Sequence, residues 1–224
     1  MVVRDSSITP ESTATFPEMW YNMLNMETLR YTKKLLDANL TFLTLPQIQQ
    51  ILGIQNVRTT QSIVRKLVKT GFLKRLEKGK YLLTTKDAQT FQIAQFLYQP
   101  SYISLETALS FYGIMPQFPM EITSVSPKKP KVKVVDGFTY SYSKIAKSLF
   151  IGYTKGDGYL IALKEKALFD YLYFIAKGLK TKNYLDEFDK TSVAKLKVRA
   201  FLPYVKHVPT RKKVAKLIEE VYAN

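Results

Sequence analysis

The sequence predicts an α+β protein with two domains, and three observations support this. The chain has 224 residues, enough for one large domain or for two of ordinary size. Helix-like spacing of apolar residues dominates its first part, and short strand-like segments separated by turn residues follow. Hydrophobic residues make up 46% of the chain and charged residues 23%, as is typical of folded proteins. We predict an N-terminal arm over 1–24, a helix-rich domain over 25–85 and a mixed α+β domain over 86–224 that ends in helices.

Two helices are predicted at the start of the helix-rich domain. The first begins near Asn25 and ends near residue 38. Its predicted inward face consists of Leu29, Leu35 and Leu36. The segment "TLPQIQQILGI" predicts the second helix, because Thr44 and Gln47 have the spacing of a capping box and Gly53 is typical of a helix end.

A third helix and a β-hairpin follow after a few residues. Asn56 is a typical N-cap, and Gly71 ends the helix. The apolar stripe of this helix is Ile63, Val64, Leu67 and Val68. Beyond it, "FLKRL" and "YLLT" flank the turn "EKGK", which predicts two short strands. The order of helix, helix, tight turn, helix and hairpin is that of a winged helix-turn-helix domain.

The stripe of the third helix determines which side chains point outward, and their types suit DNA. The N-terminal half of a recognition helix reaches base edges, so the base-contact candidates are Arg58, Thr59, Gln61 and Ser62. Cations further along suit phosphates, and these are Arg65, Lys66 and Lys69. The predicted hairpin, or wing, contributes Lys74, Arg75, Lys78 and Lys80.

The charge of this segment has one sign. Between Arg58 and Lys80 there are eight basic residues and one acidic residue, Glu77. A solvated helix face usually mixes both signs, so the segment predicts binding to double-stranded DNA. A winged helix that contacts another protein is the alternative.

The whole chain is also basic, with a formal net charge of +16. Such a surplus favours a polyanionic partner, although high solubility is the alternative explanation. A second basic cluster lies near the C-terminus. It comprises Lys195, Lys197, Arg199, Arg211, Lys212, Lys213 and Lys216. It is either a secondary surface for DNA or RNA, or an ordinary solvated rim.

The second domain reads as helices around short strands. Strand-like segments are "MEITSVS", "KVKVV", "FTYSYS", "LFIGYT" and "GYLIAL". Helices are predicted over "SLETALSFYGI", with Ser104 as N-cap, over "KEKALFDYLYFIAKG", and near 191–201 and 209–222.

Motifs for catalysis are weak. The chain has no cysteine and one histidine, His207, and "GYTKGDG" does not have the spacing of a phosphate-binding P-loop. Asp157, Glu165 and Lys166 lack the carboxylate-x-lysine spacing of a nuclease. We therefore predict no catalytic residues, no metal and no cofactor. No apolar run is long enough to span a membrane, and a cytoplasmic location is expected.

Three segments give the chain a resemblance to a known family. These are "RKLVKTGFLKRLEKGKYLL", "SYISLETALSFYGIMPQ" and "IALKEKALFDYLYF", with "GFTYSYSKI" and "LFIGYT" between the last two. In this order they resemble the AbiEi-type antitoxins of type IV, abortive-infection toxin–antitoxin systems, over roughly residues 40–178.

The resemblance implies two activities. The winged helix would bind inverted repeats in the operator of its own promoter and repress transcription. The second domain would counter a partner nucleotidyltransferase toxin, which members of this family do without a stable complex. A regulator unrelated to a toxin, or an accessory protein of nucleic-acid processing that uses the basic second domain, are the alternatives.

Overall fold

The computed structural model describes residues 16–116 and 121–223, with side chains from Met26 onward. The chain divides into two compact units, of which the N-terminal unit extends to Lys86 and the C-terminal unit begins at Asp87. Helices and two β-sheets make it an α+β protein, which confirms the predicted class.

The N-terminal unit packs its helices beside a small sheet. Its described elements are α1 (Phe16–Asp37), β1 (Phe42–Thr44), α2 (Leu45–Leu52), α3 (Val57–Lys69), β2 (Leu73–Glu77) and β3 (Lys80–Leu83). Strand β3 is central in the order β1-β3-β2, and both of its pairings are antiparallel. We did not predict β1, because three residues are too few to show a strand pattern.

Helix α1 differs from its prediction in two ways. It begins at Phe16, well before Asn25, so the predicted arm over 1–24 is wrong for its last residues, and 1–15 lie outside the described residues. The helix extends this far because no proline or glycine interrupts residues 18–37 and because Pro17 is tolerated in a first turn. Of the three leucines predicted to face inward, only Leu35 is buried, whereas Leu29 and Leu36 are exposed.

The caps predicted for α2 are confirmed. The Thr44 backbone N–H donates to Gln47 Oε1 at 2.8 Å, and the Gln47 N–H donates to Thr44 Oγ1 at 3.4 Å. Gly53 ends the helix with φ +72°, a conformation that costs glycine little. The buried core of this unit is formed by Leu35, Leu43, Leu52, Ile48, Val64, Leu67, Leu73, Tyr81 and Leu83.

The C-terminal unit is built around a six-stranded sheet. Its described elements are α4 (Thr90–Leu97), β4 (Tyr102–Ile103), α5 (Leu105–Phe111), β5 (Glu121–Ser126), β6 (Lys131–Val135), β7 (Phe138–Lys144), β8 (Tyr153–Lys155), β9 (Leu160–Ala162), α6 (Lys164–Ala176), α7 (Lys190–Ala194) and α8 (Val208–Ala223). The strand order is β6-β7-β5-β4-β9-β8. The pairs β4–β9 and β5–β7 are parallel, and the others are antiparallel.

Two segments of this unit depart from the sequence prediction. Residues 149–152 were expected in a strand, but the strand begins only at Tyr153, after Gly152 has turned the backbone with φ +72°. A Cβ on Gly152 would lie 2.7 Å from Cε1 of Phe201, so this close approach requires glycine. The helix expected near 191–201 is interrupted: α7 ends at Ala194, and a 3₁₀-helix covers Val198–Tyr204.

Helix α6 is the central helix of the C-terminal unit. It packs against α5, α8, β9 and the 3₁₀-helix over Val198–Tyr204. Every residue from Lys166 to Ile175 is buried. Five of these were predicted to face inward, namely Ala167, Leu168, Tyr171, Leu172 and Ile175, and they are buried as expected.

Candidate nucleic-acid interface

An N-terminal cap and a buried apolar stripe determine which face of helix α3 points to solvent. The Asn56 side chain accepts hydrogen bonds from the backbone N–H groups of Arg58 at 2.8 Å and Thr59 at 3.4 Å. Val64 and Leu67 are buried in the core of the unit. Because a helix turns by 100° per residue, these contacts leave the other side of α3 to solvent.

The predicted contact residues of α3 all lie on that solvent side. Arg58, Thr59, Gln61, Ser62, Arg65, Lys66 and Lys69 are each exposed. Asn56 and the first turn of α3 present the base-contact candidates, and the cations occupy the later turns. The structure therefore brings the two predicted groups together on one helix face, in the order the sequence suggested.

The charges on this face are not neutralised within the described residues. No described carboxylate forms an ion pair with Arg58, Arg65, Lys66 or Lys69. The helix also has no acidic residue in its first turn, where acids are common. The face consequently presents positive charge and hydrogen-bonding side chains to solvent.

The hairpin of β2 and β3, which follows α3 in the sequence, carries further cations. Its turn lies at Lys78 and Gly79, and Gly79 has φ +79°. The turn is hydrogen-bonded to the first residue of α2: the Leu45 N–H donates to the Gly79 carbonyl at 2.9 Å. Lys74, Arg75 and Lys78 are exposed.

Lys80 is the least exposed of the predicted wing cations. Its Nζ lies 2.9 Å from Oε1 of Glu77, so it neutralises the one acid of the segment, and its side chain is half-buried. The exposed cations of the hairpin are therefore Lys74 and Arg75 on β2 and Lys78 in the turn.

The second predicted basic cluster is exposed but is divided among several elements. Lys195 and Lys197 lie between α7 and the 3₁₀-helix over Val198–Tyr204, and Arg199 pairs with Glu219 of α8. Arg211, Lys212, Lys213 and Lys216 are exposed residues of α8. The cluster is thus partly neutralised.

A buried polar cluster in the C-terminal unit was missed by the sequence analysis. Lys166 and Asp170, one helical turn apart on α6, form an ion pair in which both side chains are fully buried. Asp170 Oδ2 accepts hydrogen bonds from the hydroxyls of Tyr102 at 2.9 Å and Ser104 at 2.8 Å. Lys166 Nζ also donates to the Tyr102 hydroxyl at 2.9 Å.

The titration of this pair is governed by burial. Desolvation raises the pKa of Asp170, while Lys166 and the two hydroxyl donors oppose that rise. Desolvation likewise lowers the pKa of Lys166, against the attraction of Asp170. Three donors converge on the carboxyl group, a pattern that suits an ionised carboxylate.

One sequence interpretation changes because of this cluster. Ser104 caps no helix with its side chain, because its hydroxyl is directed to Asp170. Lys166, to which the sequence analysis assigned no role, points into the core, and Asp157 is exposed, with its carbonyl accepting from Gln92 Nε2 at 2.9 Å. One sequence signal could have revealed this pair. Lys166 and Asp170 are four residues apart in a stretch that is mostly apolar, a pattern that indicates a buried ion pair.

Residues 16–116 and 121–223 show neither a metal-binding group of side chains nor a helix suited to span a membrane. These residues contain no group of three or more histidine, cysteine or acidic side chains placed to hold a metal ion. None of their helices combines the length and apolar character that crossing a membrane requires.

Comparison with known proteins gives a similarity of fold. No protein-family model and no curated protein matches the sequence. The structure is similar to the crystal structure of RV2827C protein from Mycobacterium tuberculosis, with a TM-score of 0.51 and 13% sequence identity. The match covers 86% of this chain and 77% of that chain. At this identity the match shows that the two chains share an α+β fold.

Proposed function

We propose that the N-terminal unit is a winged helix-turn-helix domain that binds double-stranded DNA, and that the protein represses its own promoter. The observation that carries the proposal is the exposed face of α3, on which cations stand without described carboxylate partners. A surface of this kind gains affinity for DNA by releasing counterions from phosphates. In the proposed arrangement, α2 and α3 form the helix-turn-helix and β2–β3 forms the wing.

The proposed contacts follow the order of residues along α3. Arg58, Thr59, Gln61 and Ser62 lie in its first turns and hydrogen-bond to base edges in the major groove. Arg65, Lys66 and Lys69 contact phosphates, as do the exposed cations of the hairpin. Base readout and backbone contact are thus assigned to different turns of one helix.

We further propose that the C-terminal unit is an antitoxin that counters a nucleotidyltransferase toxin without a stable complex. This proposal rests on the resemblance to AbiEi-type antitoxins. Two segments that carry the resemblance form β4–α5 and β9–α6. The hydrogen bonds of Tyr102 and Ser104 to Asp170 join these two segments in the core, which supports treating them as one structural unit.

Binding to the upstream inverted repeats tests the repressor proposal. Fluorescence anisotropy should show specific binding that weakens steeply as salt rises, and random DNA should bind less tightly. Arg58→Ala should reduce the preference for the repeats by on the order of tenfold to a hundredfold, through loss of a base contact. Lys66→Ala should weaken both DNAs alike and lower the salt slope by about one.

The matched control is Lys33→Ala, because Lys33 is an exposed cation of the same unit on α1. If Lys33→Ala weakened binding as much as Lys66→Ala, the α3 face would not be the DNA contact. Equal affinity for the repeats and for random DNA would contradict the repressor proposal.

Co-expression with the proposed partner, a nucleotidyltransferase toxin, tests the antitoxin proposal. The full chain should restore growth, and the Arg58→Ala chain should also restore growth, because repression and protection are assigned to different units. Failure of the full chain to restore growth would remove the antitoxin proposal and leave the repressor proposal standing.

A further inference from the structure

Strand β6 forms one edge of the six-stranded sheet and exposes two valines to solvent. In the order β6-β7-β5-β4-β9-β8 it pairs with β7 alone. Val132 and Val134 are 64% and 68% exposed, and Val134 is the most exposed large apolar side chain among the described residues. An exposed apolar strand at the edge of a sheet is a place where another chain can pair.

Both valines lie on a face of the sheet that a helix covers only further inward. Val132 is paired with Ser141 of β7, and Ser141 is paired with Thr123 of β5, so these three side chains are on one face. At β5 this face contacts α5, since Thr123 Oγ1 lies 3.1 Å from Thr107 Oγ1. At β6 the exposure of the valines shows that no described helix covers the same face.

The turn between β6 and β7 determines which backbone groups point to the open edge. The two residues between the paired Val135 and Phe138 have φ values of +54° and +78°. Two positive φ values are typical of a type I′ turn, whose flanking residues exchange both of their hydrogen bonds. Because bonded and non-bonded pairs alternate along an antiparallel ladder, the N–H and C=O groups of Val132 and Val134 point away from β7.

The charges around this edge have one sign. Residues 128–144 contain five lysines and one acid, Asp136. Lys129 and Lys131 are exposed, and neither forms an ion pair with a described carboxylate. A partner that pairs with this edge therefore gains from negative charge.

One lysine of β6 is directed to the other face of the sheet. Lys133 Nζ donates to the Leu97 carbonyl of α4 at 2.7 Å and lies 5.7 Å from the centre of the Tyr98 ring. Lysines at sheet edges usually oppose pairing with another chain, but this one is held against α4. The valine backbone therefore stays accessible beside it.

We propose that β6 is a docking strand for an extended, acidic segment of a partner protein. The backbone groups of Val132 and Val134 hydrogen-bond to this segment, as in other cases of strand addition. Its apolar residues lie opposite the valines, and its acidic residues lie opposite Lys131 and Lys133. A second copy of β6 is disfavoured, because self-pairing would bring the lysines of the two strands together. The site uses none of the α3 or β2–β3 residues and does not rest on the proposed function.

A synthetic peptide of about seven residues that alternates glutamate and valine serves as the probe for the full chain, since the expected partner alternates acidic and apolar residues. Labelled with fluorescein, it should bind saturably in fluorescence anisotropy. A glutamate–serine peptide lacks the valine contacts, and a lysine–valine peptide reverses the charge. Each of these should bind on the order of tenfold more weakly or worse. In the complex, the amide hydrogens of Val132 and Val134 should exchange more slowly in NMR spectra, because they become hydrogen-bond donors to the peptide.

Two variants of Val134 separate backbone pairing from side-chain contact. Val134→Pro removes an N–H that points to the edge and keeps the ladder with β7, so binding of the glutamate–valine peptide should fall on the order of tenfold to a hundredfold. Val134→Glu keeps the N–H but repels the acidic peptide, so it should weaken binding as well. A melting curve like that of the wild type shows which variant keeps the fold.

The charge contribution has a matched control on the opposite edge of the sheet. Lys131→Gln should weaken binding several-fold at low salt. Lys155→Gln changes an exposed lysine of the other edge strand, β8, and should leave binding unchanged. Absence of saturable binding, equal binding of the three peptides, equal losses in these two variants, or unchanged exchange at Val132 and Val134 would each overturn the proposal. A dimer of the free chain with protected amides in β6 would also overturn it, since a second copy would then occupy the edge.

Discussion

α3 and α6 are both thirteen residues long, yet they place their charged residues in opposite environments. In α3 the cations lie on the solvent side, and only one stripe of the helix is buried. In α6 a lysine and an aspartate are completely buried and hydrogen-bonded to each other and to two hydroxyls. Two helices of equal length thus differ in their surroundings: α3 lies at the surface, and α6 lies in the core.

The difference lies in how each helix is stabilised. An exposed charge keeps its hydration, so the cations of α3 add little to folding and are available to a ligand. A buried charge loses its hydration and is tolerated only if partners replace it, which Tyr102 and Ser104 help to do for Asp170. The charges of α3 are thus exposed to solvent, whereas those of α6 are held in the core by their partners.

The helix starts show the same contrast. The N-cap of α3 is Asn56, whose side chain accepts two backbone hydrogen bonds. The N-cap of α6 is Leu163, which has no such bond. A helix that is packed on nearly all sides needs local capping less than one that is packed along a single stripe.

The largest expected effect is that of breaking the buried pair of α6. Asp170→Ala should lower the free energy of unfolding by about 3–5 kcal/mol, because it leaves the Lys166 ammonium group without its counter-charge. Urea denaturation followed by circular dichroism measures this change.

The matched control removes both charges. Lys166→Met with Asp170→Leu should be clearly more stable than Asp170→Ala alone, because no unpaired charge is left in the core. A loss below about 1 kcal/mol for Asp170→Ala would show that the pair is not the buried contact described here.

A smaller effect is expected from Tyr171 of α6 at alkaline pH. Burial, and secondarily the charge of Glu106, raise the pKa of the Tyr171 hydroxyl above its ordinary value of 10.0. Its contribution to stability is therefore complete below pH 10 and is lost as pH rises further, since the unfolded chain releases the proton first.

The Tyr171→Phe variant isolates this effect. Above pH 10 the free energy of unfolding should fall less steeply in the variant than in the wild type, by up to about 1.4 kcal/mol per pH unit. Tyr204→Phe, which changes an exposed tyrosine of the same unit that is not among the groups raising the pKa of Tyr171, serves as control and should leave the slope unchanged. Identical slopes for the wild type and Tyr171→Phe would contradict the raised pKa.

The smallest effect is expected at the start of α3. Asn56→Ala should lower the free energy of unfolding by about 1 kcal/mol, because the N–H groups of Arg58 and Thr59 lose their acceptor. Asn56→Asp retains an acceptor and is expected to be close to the wild type in stability. If Asn56→Ala were as stable as Asn56→Asp, capping would not distinguish the surface helix from the buried one.

The N-terminal unit could be predicted closely because its signals are local. The capping box of Thr44 and Gln47, the Asn56 cap and the stripe at Val64 and Leu67 depend on residues within a few positions of each other. These interactions also determine which side of α3 is exposed. The incorrect or missing predictions in this unit concern contacts between residues far apart in the chain. They are the side of α1 that packs on the core and the pairing of β1 with β3.

The C-terminal unit was predicted less well because distant residues determine its details. Gly152 ends a strand-like segment because of Phe201, which lies far along the chain. Ser104 has the sequence signature of a cap, yet its hydroxyl binds Asp170. Neither partner can be inferred from the spacing of neighbouring residues.

The α+β class, the position of most helices and strands, and the outward orientation of the α3 cations could all be predicted from the amino-acid sequence. These follow from hydrophobic periodicity, caps and turn residues, which act over a few residues. Three other features became visible only in the folded chain: Lys80 pairs with Glu77, Lys166 and Asp170 are buried together, and Lys213 and Lys216 border a cavity. Burial and ion pairing depend on which surfaces meet in three dimensions, and residues far apart in the chain determine which surfaces meet.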